Sequence, residues 1–276
     1  MVAGLPALFF DTSRLASTLI EWKAQLKEDL HPFDYQLIEL FFLRYDNRNI
    51  HNMLMGKPDG WNLLGNYTKE QVEEVMQLLK DEDIDPESLD FPVYLSRFIR
   101  AFKADAPLFA DKTWENQLAG LYYDHLAATA NPFFSDWYAY ELDLTNIITA
   151  LSCRKHQVEV RNQLVGENEI AEKLMRSNAR DFGISNEFPL LDAILRAGDE
   201  EDLLERERKY DLVKWKYLDD KVFFHYFTIE IIFVFVVKLE MISRWLKLDK
   251  NTGERLFRDL IGQMESTYQF PEEFTI

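Results

Sequence analysis

The residues that could carry chemistry in this chain are few and scattered. Its five histidines, His31, His51, His125, His156 and His225, show neither H-x-x-x-H nor E-x-x-H spacing. A metal site on a helical bundle needs ligands that share a face, so satisfied or exposed histidines are the better account and no metal or cofactor is expected. Cys153 is the single cysteine. It fits a reducing compartment and a small buried role better than a nucleophile. The acidic run Asp81–Glu87 lacks the ligand order and glycine of a calcium loop. There is no glycine-rich phosphate loop and no G-x-S-x-G elbow. No catalytic constellation emerges, and a non-enzymatic role is expected. An active site assembled from distant acids with His125, His156 or His225 is the competing possibility.

One polar pattern does recur. Asp46-x-x-Asn49-Ile50-x-x-x-Leu54-x-x-Lys57 is repeated as Asp143-x-x-Asn146-Ile147-x-x-x-Leu151-x-x-Arg154, an offset of 143 − 46 = 97 residues. The same step from Asp143 reaches Glu240, after which Ser243 and Arg244 replace the asparagine and isoleucine. The residues ahead of the acid keep their character, as in Phe41, Tyr138 and Phe235. On a helix these positions span roughly 140° of arc, so the acid and amide share the face that carries Ile and Leu. Polar groups on a packing face need partners, since each unpaired one costs roughly 1–3 kcal/mol. A repeated polar tether is the leading reading, and a surface contacted by a partner is the other. A period this long suggests three helical units around an axis rather than a solenoid.

The elements that would position these residues read as helices throughout. The chain has 276 residues, of which only 10 are glycine and 9 proline, with 47% hydrophobic and 29% charged residues. Thr68-Lys69-Glu70-Gln71 has the form of a capping box opening a helix. Pro86 is placed to open the next helix, and further helices are expected over 113–128, through the central motif, up to Arg180, around 190–195 and over 199–220. An apolar helix is expected from Val222 to about Leu248, then a last one from Thr252 to Met264 before an irregular tail. Short strands are expected only near the N-terminus. The fold expected is all-α, one domain over 1–276, with pseudo-repeat units at roughly 11–110, 111–200 and 201–266.

The formal net charge of −17 argues against a nucleic-acid surface and suits basic partners. The opening Val2–Phe10 lacks a basic leader and is broken by Pro6, so no targeting segment is read there. The apolar stretch Val222–Val237 contains His225 and Glu230 and is short for a membrane span, so no direct span is expected.

The segment YELDLTNIITALSCRK, Tyr140–Lys155, resembles the recurring segment of the C subunit of A-type and bacterial V-type rotary ATPases, the relative of V-ATPase subunit d. YDNRNIHNMLMGK resembles a first occurrence, and KLEMISRWLKLDK a worn last one. The VAGLP opening and the length look more like a divergent bacterial branch than a standard C subunit. The resemblance implies a funnel of three pseudo-equivalent helical bundles. It also implies a non-catalytic central-stalk role between the D and F subunits of the axle and the membrane rotor ring. The protein would then be cytoplasmic and held at the membrane through the complex, transmitting torque for ion transport. Asp46, Asn49, Asp143, Asn146 and Glu240 would be structural under that reading. The acidity would suit a basic axle tip or basic ring loops. A helical scaffold or regulatory protein sharing only the repeat is the alternative.

Overall fold

A computed structural model describes residues 1–57 and 60–248. It is an all-α, single-domain fold of helices α1 (Leu19–Asp29), α2 (Pro32–Leu54), α3 (Lys69–Leu78), α4 (Val93–Lys103), α5 (Trp114–Ala127), α6 (Pro132–His156), α7 (Glu169–Arg176), α8 (Leu191–Gly198), α9 (Leu203–Val222) and α10 (Ile229–Lys247). The expected helix at 252–264 and the tail after it lie outside the described residues.

The 97-residue step seen in one motif governs the helix order. It carries Leu19 and Asp29 of α1 onto Asn116 and Leu126 of α5, and Trp114 of α5 onto Asp211 of α9. It carries Ile38 of α2 onto Ser135 of α6, and Pro132 of α6 onto Ile229 of α10. Residues of α3 and α4 fall in α7 and α8 in the same way. The chain is therefore a helical hairpin followed by two shorter helices, the same again, then a third hairpin. Each hairpin packs on itself: α1 on α2, α5 on α6, α9 on α10. The trailing helices lean on the hairpin that follows, α4 on α5 and α8 on α9, while α10 closes back onto α1.

The second helices of the three hairpins meet in one aromatic core. The Phe233 ring lies 4.3 Å from Phe134, 5.9 Å from Tyr138 and 6.2 Å from Phe41, centroid to centroid. Further along each helix, Arg44 meets Glu141 and feels the charge of Glu240. Contacts that advance in the same sense along all three helices mean that α2, α6 and α10 run in the same general direction. Phe41, Phe42, Phe134, Trp137, Tyr138 and Phe233 are buried here. Each contributes roughly 1.5–3 kcal/mol by leaving water.

Local chemistry sets the boundaries. Thr18 and Thr68 close capping boxes with Glu21 and Gln71. Pro32 and Pro132 occupy first helical turns where a missing N–H costs nothing. Three expectations are corrected. No strand occurs among the described residues: the N-terminal segment forms one 3-10 turn, Val2–Gly4, and sets the Phe10 ring 5.5 Å from Trp215. With no neighbouring strand to pair with, an extended N-terminus has no ladder to join. Pro86 opens only a 3-10 turn, Pro86–Ser88, and α4 begins at Val93. Phe91 precedes Pro92, and a residue before proline is pushed out of the helical region. The apolar helix starts at Ile229 rather than Val222, because Phe227 adopts a left-handed backbone (φ 53°).

Candidate functional site

The repeated motif sits where α2 and α6 hand over to the next helix. In the first copy, Asn49 exchanges two hydrogen bonds with one residue: its Nδ2 donates to the Asn62 carbonyl and its Oδ1 accepts from the Asn62 N–H, each at 2.9 Å. Asp46 accepts from the backbone N–H groups of Asn66 (2.9 Å) and Tyr67 (3.1 Å), immediately before the Thr68 cap of α3. Lys23 on α1 donates to the carbonyls of Leu64 and Gly65 at 2.8 and 2.7 Å. Three side chains from two helices thus take up the polar backbone of one loop, which would otherwise be buried without partners.

The second copy repeats the amide exchange. Asn146 donates to the Val165 carbonyl at 2.8 Å and accepts from its N–H at 2.9 Å. Asp143 accepts from the side-chain amide of Asn168 at 2.7 Å, and Asn168 is itself the cap of α7. Ile50 and Ile147 are fully buried beside these groups, while Leu54 and Leu151 are half-buried. Arg154 donates to the carbonyls of Ala179 (2.8 Å) and Ser177 (3.1 Å), and its guanidinium lies 3.9 Å from the Phe182 ring centre. Lys57, its counterpart, is exposed just past α2. Cys153 is buried with a free thiol.

The third copy is built otherwise. Ser243 turns its hydroxyl back onto the Leu239 carbonyl of its own helix at 2.7 Å. Arg244 and the Trp245 indole both donate to Asp211, a buried carboxylate on α9, so this copy ties α10 to its hairpin partner. Glu240 is half-buried and faces the charge of Arg44.

A residue pair outside the motif joins the first two units. Arg44 and Glu141 are themselves 97 residues apart, and they meet at 3.1 Å, with two further contacts at 3.4 Å. Equivalent positions of two units that touch must lie near the pseudo-symmetry axis. The arginine also lies 4.1 Å from the Phe41 ring centre and donates from Nε to the Phe41 carbonyl. The signal was present in the sequence, since the repeat register places opposite charges at one position, but reading it required knowing that the units face each other.

The electrostatics follow burial. Burial pushes the Asp46 carboxyl up to about 6, against the two backbone N–H donors and Lys23. Burial likewise lowers Lys23 to about 8, opposed by Asp46 and Glu39. Burial lowers His125, which lies against the Tyr94 ring at 4.9 Å. His225 approaches Glu230 at 3.6 Å, and His156 is exposed. No group of three or more His, Cys, Asp or Glu residues poised for a metal occurs among the described residues. An open cleft of about 480 Å³ between α6, α8 and α9 carries Arg154, Arg180 and Arg206. Their guanidinium groups are already engaged, Arg154 on carbonyls, Arg180 with Asp199 at 2.7 Å and Arg206 on the Glu200 carbonyl at 3.4 Å. No helix among the described residues is long and apolar enough to cross a membrane.

Fold and motif together define a single-domain helical protein built by repeating a hairpin whose second helix, in the first two units, fastens the loop that follows it. The chain belongs to the family described as "Protein of unknown function (DUF2764)", whose profile matches residues 1–268. No curated protein and no solved structure matches it.

Proposed function

We propose that this protein is a non-catalytic subunit of a V-type rotary ATPase. It would stand at the central stalk between the D and F subunits and the membrane rotor ring, where a C subunit would stand. What supports the reading is the 97-residue register itself: three hairpins whose second helices run in the same general direction about one aromatic core. A torque-bearing part needs stiffness. Side chains that fasten the loops supply it, because a loop whose backbone groups are bonded to a packed helix cannot yield without exposing them. The charge of −17 suits a basic axle tip or basic ring loops, and association would then weaken as salt rises. In this role the protein would lie at the cytoplasmic face of the membrane, held by its partners.

The test is isolation of the protein from gently solubilised native membranes, with its partners identified by mass spectrometry. Recovery of D, F and ring subunits in stoichiometric amounts is the expected result. If those subunits are present in the extract and absent from the isolate, the stalk role is lost. The repeat would then mark a helical scaffold or regulatory protein.

A further inference from the structure

We propose that the turn between α9 and α10 is a docking surface for a polypeptide segment that presents basic side chains around an apolar stripe. The turn reads Phe223-Phe224-His225-Tyr226-Phe227, and four of its five side chains face solvent. Phe223 is 66% exposed, Phe224 80%, Tyr226 69% and Phe227 77%. Single exposed apolar residues are ordinary, but a contiguous aromatic cluster marks an interaction site.

The turn is held, not loose. His225 stacks edge-on against Phe133 at 5.2 Å and lies 3.6 Å from Glu230. The Asn131 amide, which also caps α6, donates to Glu230 at 2.8 Å. The rings are thus presented on a fixed base at the end of the molecule where α2, α6 and α10 begin. Phe227 holds a left-handed backbone that a bulky residue adopts only at a cost, and its ring gains no burial in return. Glycine would serve the turn better. No contact among the described residues accounts for the aromatic side chain, and a docked partner does.

Charge selects the partner. Lys216 and Lys221, the cations closest in sequence to the turn, are tied to Asp220 at 2.8 Å and Asp136 at 3.2 Å. At the start of α2, on the same end, Phe33 is exposed between acids Asp29 and Asp34. With the chain at −17, an anionic bilayer is repelled and arginine or lysine is attracted. Exposed phenylalanine faces also bind guanidinium groups directly. The inference holds whether or not the partner belongs to a rotary ATPase, so its failure leaves that reading untouched.

The test places a trifluoromethyl reporter on the Phe224 ring of the full chain and follows its fluorine resonance. The probes are an amphipathic Leu/Arg peptide, its Leu/Glu counterpart and phosphatidylcholine vesicles, all at about 0.15 M salt. Saturable shifting by the Arg peptide alone is expected. Phe227→Gly is expected to weaken that binding by about tenfold with the thermal midpoint unchanged or raised. A resonance that does not move with the Arg peptide, or moves equally with both peptides, overturns the proposal. A shift produced instead by the vesicles, or by raising the protein concentration alone, also overturns it, assigning the surface to a membrane or to a second copy. Full binding by a folded Phe227→Gly chain does the same.

Discussion

The two loop clamps solve one problem with different side chains. In each, an asparagine on the hairpin's second helix exchanges two hydrogen bonds with a single loop residue, Asn49 with Asn62 and Asn146 with Val165. A carboxamide offers a donor and an acceptor side by side, as a peptide group does, so it pairs with the loop much as a neighbouring strand would. The rest differs. The first loop is reached from the hairpin's other helix by Lys23. One repeat later the same position is Gly120, and the Gly166 nitrogen lies 3.8 Å from where a Cβ would stand. One clamp reaches in with a long cation at that position; the other lets the loop close up on a glycine and is served instead from the start of α5, where Lys112 donates to the Arg161 and Leu164 carbonyls and Asn116 to those of Asn162 and Gln163. What the repeat preserves is a loop whose backbone groups are taken up by side chains of its own hairpin, rather than the particular groups that do so.

The comparison is broken most severely by removing the shared element. Asn146→Ala leaves the N–H and carbonyl of Val165 buried without partners, with an expected loss of about 3 kcal/mol in denaturant melts. Asn49→Ala should cost less, about 2 kcal/mol, because the Asn62 groups it serves are only partly buried whereas those of Val165 are buried. Equal losses would mean that the deeper burial of Val165 adds nothing to the cost.

Gly65→Ala tests how closely the first loop approaches its carboxylate. A Cβ there would stand 2.5 Å from Asp46 Oδ1 and 3.2 Å from Asn49 Nδ2. The carboxylate cannot swing aside without releasing the N–H groups of Asn66 and Tyr67. The expected loss is about 2 kcal/mol. Hydrogen exchange at Asn66 and Tyr67 should rise with it, and a fold that keeps those amides protected would show that the loop can move as a unit.

Much of this was legible in the sequence, and the part that was not has a physical cause. The register, the helical class and the shared face of Asp46, Asn49 and Ile50 follow from residue type and helical period alone. The partners of the clamps do not, because Asn62 and Val165 contribute only backbone atoms, and every residue carries those. The spacing gave no help either, since the two partners stand 13 and 19 residues beyond their asparagines. The Arg44–Glu141 contact was hidden because it depends on how units face each other. The break before α10 was hidden by the aromatic turn itself, whose rings look like buried helix to any periodicity argument.

The clamps also respond to pH, the first of them through Asp46. The Asp46 carboxyl is held near 6 in the folded chain, above its ordinary value of 3.8. A carboxyl raised in the folded state binds its proton more tightly there. Its contribution is therefore whole below about pH 4 and is lost as pH rises through about 6. The stability of the native chain minus that of Asp46→Asn should fall by about 2–3 kcal/mol across this window and be flat above it. Asp143, which burial also raises, meets a side-chain amide rather than two backbone N–H groups, so Asp143→Asn should show a fall of the same sign from the second clamp. A difference curve for Asp46→Asn that is flat from pH 4 to 7 would mean that the backbone donors and Lys23 cancel the effect of burial.

The smallest expected change has the opposite sign and returns to the position where the clamps diverge most. Glycine inside a helix costs about 1 kcal/mol relative to alanine. Gly120 lies within α5, and its virtual Cβ meets Gly166 at 3.8 Å, an ordinary van der Waals distance. Gly120→Ala should therefore raise stability by about 0.5–1 kcal/mol, where Gly65→Ala lowers it. Gly120→Leu should not share the gain, because atoms beyond Cβ would enter the space the Gly166 backbone fills, and Val165 would be drawn away from Asn146. If leucine is tolerated as well as alanine, the second loop is not held by close approach, and side chains such as Asn146, Lys112 and Asn116 fasten it.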